Sequence, residues 1–121
     1  MPGAVRAGAR LIGTNDDPTF PTPRGHTPGG GAILAAVAVA SGVEPVIAGK
    51  PHEPMADLVR ARLGGHGTVV GDRPDTDGAL ARRLGYRFAL VLSGSTRSAE
   101  GADPLPDVVG PDLAAVVDRL L

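Results

Sequence analysis

The chain has 121 residues and a net charge of −1, which excludes the basic footprint of a nucleic-acid or anionic-membrane binder. It contains no cysteine, which excludes disulfides and thiolate metal ligands. Its 18 glycines and 12 prolines approach a disordered composition, but a hydrophobic fraction of 42% in regularly spaced runs reads as a folded domain with long ordered loops.

The N-terminal residues 1–6 have no apolar signal core. The longest uncharged apolar stretch, Ala32 to Val43, is too short to span a bilayer. The expected location is therefore the cytoplasm, with no membrane or nucleic-acid partner. Residues 9–14 read as a short strand, followed by a turn-rich stretch from Asn15 to Gly31 with prolines at 18, 21, 23 and 28. Residues 32–41 read as an Ala/Val-rich helix whose missing charged face predicts burial, closed by Gly42 as a C-terminal cap.

A repeating unit follows. Strand 45–48 leads through a loop to helix 54–63, ended by Gly64-Gly65. Strand 67–70 leads to helix 76–84, N-capped by Asp75 or Thr76 and ended by Gly85. Strand 87–92 is followed by a long loop from Ser93 to Leu105, a short strand 106–109 and a helix 112–121 capped by Asp112. Apolar strands alternating with helices predict an α/β fold with a parallel sheet covered on both faces. Ligands of such sheets lie beyond the carboxyl ends of the strands.

Lys50 and Asp72 both occupy strand ends of that kind. Lys50 is the only lysine, set in Gly49-Lys50-Pro51 after an apolar run. A solvated surface lysine is the plain alternative. The functional reading is a compact ammonium that neutralises a phosphoryl oxygen and a neighbouring carboxylate. Gly71 to Asp77 packs three carboxylates into a short loop, which suits Mg²⁺. Favourable acids at a helix N-terminus are the plain alternative for Asp75 and Asp77, but not for Asp72 closing a buried strand. Asp72 is thus the leading metal-ligand candidate, with Asp77 acting through a bound water.

Other segments are less specific. Thr14-Asn15-Asp16-Asp17 suits an Asx-type turn as well as a substrate contact through Asn15. Pro28 to Ala32 could present free helix amides to an anion, but it follows a loop and lacks the acidic ribose partner of a dinucleotide site. His26, His52 and His66 share no metal-ligand spacing. Ser93-Gly94-Ser95-Thr96 could face the site or simply turn the chain.

Taken in order, residues 9–22, Pro28 to Ala32, Val46 to Pro51, Val69 to Asp77 and Leu90 to Thr96 resemble the haloacid dehalogenase (HAD) superfamily. The likeness is to subfamily IIA, the p-nitrophenyl phosphate, phosphoglycolate and nucleotide-monophosphate phosphatases. It implies that residues 1–43 are the end of a C2-type cap domain and residues 44–121 the C-terminal half of a Rossmann-like core. It also implies Lys50 as a catalytic and phosphate-binding residue with Gly49 and Asn15 on the substrate side, Asp72 and Asp77 as Mg²⁺ ligands, and a small phosphorylated metabolite as substrate.

The chain departs from the family in one respect. No D-x-D follows an apolar strand near its start, and Asp75-Thr76-Asp77 belongs to the later acidic motif. The expectation is a phosphatase portion that starts inside the cap, lacks the nucleophile and is inactive alone. It would then be completed by an N-terminal half, or self-associate through an apolar sheet edge beside strand 45–48. A non-catalytic phosphate- or partner-binding remnant and a small flavodoxin-like binding domain are the alternatives.

Overall fold

The structure, a computed structural model, describes residues 2–121 and divides into two compact units, Met1–Gly49 and Lys50–Leu121. In the N-terminal unit, α1 (Pro2–Arg6) precedes β1 (Ile12–Gly13), a hairpin of β2 (Thr19–Thr22) and β3 (Gly25–Pro28), α2 (Gly30–Ser41) and β4 (Val46–Ile47). β1 and β4 pair in parallel, Ile12 opposite Val46 and Gly13 opposite Ile47. The strand foreseen at 45–48 is therefore laddered to β1, which places residues 44–49 with the first unit.

The hairpin replaces the loop expected over residues 15–31. β2 and β3 are antiparallel, from Thr19 opposite Pro28 to Thr22 opposite Gly25. The Thr22 hydroxyl donates to the Gly25 carbonyl at 2.7 Å, and Gly25 adopts φ 118°, which a side chain would resist. A two-stranded ribbon tolerates Pro21 and Pro28 because each strand has an edge where no amide is required.

Helix α2 forms as foreseen, and Gly42 closes it at φ 70° with its amide donating to the Ala38 carbonyl. Its expected burial fails: none of its residues is buried, and Ile33 and Val39 are 65% and 84% exposed. An uncharged helix implies a cover, but the sequence of the helix cannot say that the cover lies within this chain.

The C-terminal unit contains α3 (Glu53–Leu63), β5 (Thr68–Gly71), a π-helical turn (Pro74–Gly78), α4 (Ala79–Leu84), β6 (Arg87–Val91), β7 (Val108–Gly110) and α5 (Leu113–Leu120). β6 is the middle strand of a parallel sheet ordered β5-β6-β7. Phe88 and Leu90 are fully buried and pack with Ala81, Val69 and Leu92. Ala56, Leu80, Leu84 and Tyr86 fill the space under α3 and α4, and the Tyr86 hydroxyl donates to the Gly64 carbonyl at 2.5 Å. Asp107 ties two strands together, its carboxylate accepting from the Phe88 amide and from Arg82, both at 2.7 Å. Among the described residues β5 and β7 each have a ladder on one side only, so this unit's sheet has an open edge at both. β4, beside which an apolar edge had been expected, is likewise laddered on one side only, to β1.

Candidate functional site

The site of the C-terminal unit is built where β5 ends. Gly71 closes the strand, and a Cβ there would overlap the Asp77 carboxylate. The missing side chain is what lets Asp77 fold back beneath the strand end. The π-helical turn places Asp77 four residues beyond Arg73, and its Oδ2 accepts the Arg73 amide at 3.1 Å. The Asp77 amide in turn donates to the Arg73 carbonyl at 2.8 Å.

This closed loop explains why neither Asp75 nor Thr76 is a helix cap, as had been expected. The turn starts at Pro74, which has no amide to cap, with Arg73 in the capping position. Asp75 instead holds the Arg73 guanidinium through two bonds of 3.1 and 2.6 Å, which keeps its carboxyl below the usual aspartate value. The Thr76 hydroxyl is buried without a hydrogen-bond partner.

Lys50 reaches this loop from 27 positions away. Its Nζ lies 2.5 Å from Asp77 Oδ1, and the two side chains are 51% and 5% exposed. The carboxylate is thus buried and bonded through both oxygens, while the ammonium keeps one side open to solvent. Asp72, one residue past β5, points to the next strand's exit. Its Oδ2 accepts the Ser95 amide at 2.6 Å, and a Cβ on Gly94 would overlap it. Its carboxyl is held below the ordinary value first by that amide bond, against the effect of burial, with help from the Lys50 charge. A carboxylate that stays ionised and feels the charge of a half-exposed ammonium can bind a cation or frame an oxyanion.

Of the residues foreseen, Lys50, Asp72 and Asp77 therefore converge. Asn15 and Gly49 belong to the N-terminal unit. Asn15 is exposed, with its side chain over Gly30, and Gly49 is buried against the Thr14 carbonyl with no room for a Cβ. Ser95 lies in the Ser93–Thr96 segment, which the sequence reads equally as facing the site or as turning the chain. Its role is played by a backbone amide, which no side-chain pattern announces.

Mg²⁺ takes six oxygen ligands in near-octahedral geometry. The donors here are of the right kind but too few. No group of three or more His, Cys, Asp or Glu side chains that could hold a metal occurs among the described residues, and both Asp77 oxygens are engaged.

Residues 47–116 match the family model described as HAD-hydrolase-like. A D-glycerol 3-phosphate phosphatase of Mycobacterium tuberculosis is 41% identical over 118 residues, covering 93% of this chain and 33% of the relative. The crystal structure of a glycerol phosphate phosphatase from M. tuberculosis in complex with magnesium matches with a TM-score of 0.77 and 39% identity, over 95% of this chain and 36% of that one. A hypothetical protein from Pyrococcus horikoshii matches with a TM-score of 0.86 and 42% identity, over 99% of this chain and 47% of its own. The chain spans between a third and a half of the length of these relatives.

Proposed function

The chain belongs to the HAD-hydrolase-like family, and from that premise we propose that it is the phosphate-binding portion of a Mg²⁺-dependent phosphoric monoester hydrolase. The observation that carries this reading is the Lys50–Asp77 pair, an ammonium fixed at 2.5 Å by a buried carboxylate yet half open to solvent. Lys50 neutralises the phosphoryl oxygens. Asp77 orients Lys50, and Asp72 and Asp77 are the residues that would hold Mg²⁺, Asp77 with the help of a bound water. Bound Mg²⁺ would supply charge neutralisation at the phosphoryl group, but two carboxylates do not complete its coordination. A covalent step needs a nucleophile, and no D-x-D follows an apolar strand near the start of this chain.

The substrate class is a small phosphorylated metabolite, supported by the glycerol phosphate phosphatase relatives. Calorimetry of inorganic phosphate with Mg²⁺ should give saturable binding that Lys50→Ala and Asp72→Ala each weaken by about tenfold, or ~1.4 kcal/mol. Binding that survives Lys50→Ala unchanged would overturn the reading. Hydrolysis of p-nitrophenyl phosphate should be absent with this chain alone. It should appear on mixing with a separate chain that carries a D-x-D strand.

A further inference from the structure

The Lys50 side chain is half exposed, so packing holds its ammonium only in part. Its Nζ meets Asp77 Oδ1 at 2.5 Å only while two separate segments keep their register. One is residues 50–52, which lead into α3; the other is the π-helical turn, which runs straight into α4. The apolar contacts of Ala56, Leu80 and Leu84 draw α3 and α4 together, but apolar contact is non-directional and does not fix a register.

Directed bonds tie the same two segments a second time. Glu53, the first residue of α3, accepts from Arg60 on its own helix and from Arg83 on α4. Each guanidinium takes a different carboxylate oxygen, both at 2.7 Å. Arg60 also donates to the Arg83 carbonyl at 2.7 Å and to Asp57 at 3.1 Å. Arg60 first, and Arg83 after it, keep the Glu53 carboxyl below its ordinary value, so the link stays charged at neutral pH. A lone exposed ion pair contributes little, whereas several charges that share both oxygens of one carboxylate act together.

We propose that Glu53, with Arg60 and Arg83, is a positioning network for Lys50: it sets the register of α3 on α4 and so holds the Lys50 ammonium at Asp77, ready for a phosphoryl oxygen. The proposal rests on the reading of Lys50 as the phosphate ligand, but one arm of its test does not.

Calorimetry of inorganic phosphate with Mg²⁺ should show the Kd raised about fivefold both by Glu53→Ala and by Arg83→Met. These two variants change the net charge in opposite directions, so a long-range effect of charge would move their Kd values apart. Arg82→Met is the comparator. Arg82 precedes Arg83 on α4 and its ion pair with Asp107 has the same 2.7 Å length, but its partners lie on the approach to β7. It should change the Kd by less than about 1.5-fold. In a Lys50→Ala background, Glu53→Ala should have no further effect. Without phosphate, urea unfolding should show Glu53→Ala and Asp77→Asn to be less destabilising together than the sum of the two, while Arg82→Met and Asp77→Asn should add. Should Glu53→Ala fail to fold, Arg83→Met carries both arms. A lower Kd in Glu53→Ala, equal effects of Glu53→Ala and Arg82→Met, a further loss in the Lys50→Ala background, or additive urea effects of Glu53→Ala and Asp77→Asn would each overturn the proposal. An unaltered chain that binds no phosphate overturns the proposed function instead, and the urea cycle then decides the positioning by itself.

Discussion

At the scale of single residues, the site depends on two absent side chains as much as on two acids. Gly71 and Gly94 leave the volumes that the Asp77 and Asp72 carboxylates fill. Gly71→Ala should destabilise the chain by about 1–3 kcal/mol in urea unfolding, because Asp77 is pinned by Lys50 and the Arg73 amide and cannot yield. Lys50→Ala should cost less, about 1–2 kcal/mol, since its half-exposed ammonium is partly screened by water. Acid sensitivity follows from Asp72. Its folded carboxyl lies below the ordinary value, so its contribution is complete above about pH 3.9 and disappears as pH falls through that value toward the folded one. The urea midpoint should drop across that acid range, and less so in Asp72→Asn. That Lys50, Asp72 and Asp77 lie near one another was legible because strand-end position and local crowding are written in the sequence. Which carboxylate Lys50 would choose was not, since that depends on a contact across 27 residues.

At the scale of elements, the sequence pattern succeeded where a strand or helix is covered by its own chain. β6 reads as a continuous apolar run and is the buried centre of its sheet, so Phe88→Ala should cost about 3–5 kcal/mol in denaturant unfolding. Asp112 reads as a cap and accepts the Ala115 amide at 2.9 Å; Asp112→Ala should cost about 1 kcal/mol by the same measurement. The β2–β3 hairpin escaped notice because its prolines and glycines carry turn signals and its four-residue strands have no apolar alternation. The π-helical turn escaped because it is set by Asp77 folding back to Arg73, a side-chain bond that local helix propensity does not register. The burial of α2 was misjudged for a third reason: an uncharged helix has the same sequence whether its cover is in place or not.

At the scale of the whole molecule, apolar burial is uneven: among the described residues one buried apolar residue lies in the N-terminal unit and the rest of the core in the C-terminal one. Hydrogen exchange at low concentration should therefore be fast at α2 and slow at β6, where Phe88, Ala89 and Leu90 are fully buried. Comparable protection in the two would contradict this account of the core. The ion pair at Lys50 has a further consequence. The chain contains no second lysine, so its ε-amino groups are a population of one, and that one sits at the proposed phosphate site. An amine-directed acylating reagent has only the N-terminal amine as a competitor, and the two modified peptides separate cleanly by mass. The modification rate of Lys50, compared with that in Asp77→Asn, then reports how far the ion pair shields its amine. A bound oxyanion would lower that rate, so the protein carries its own occupancy gauge without an added label.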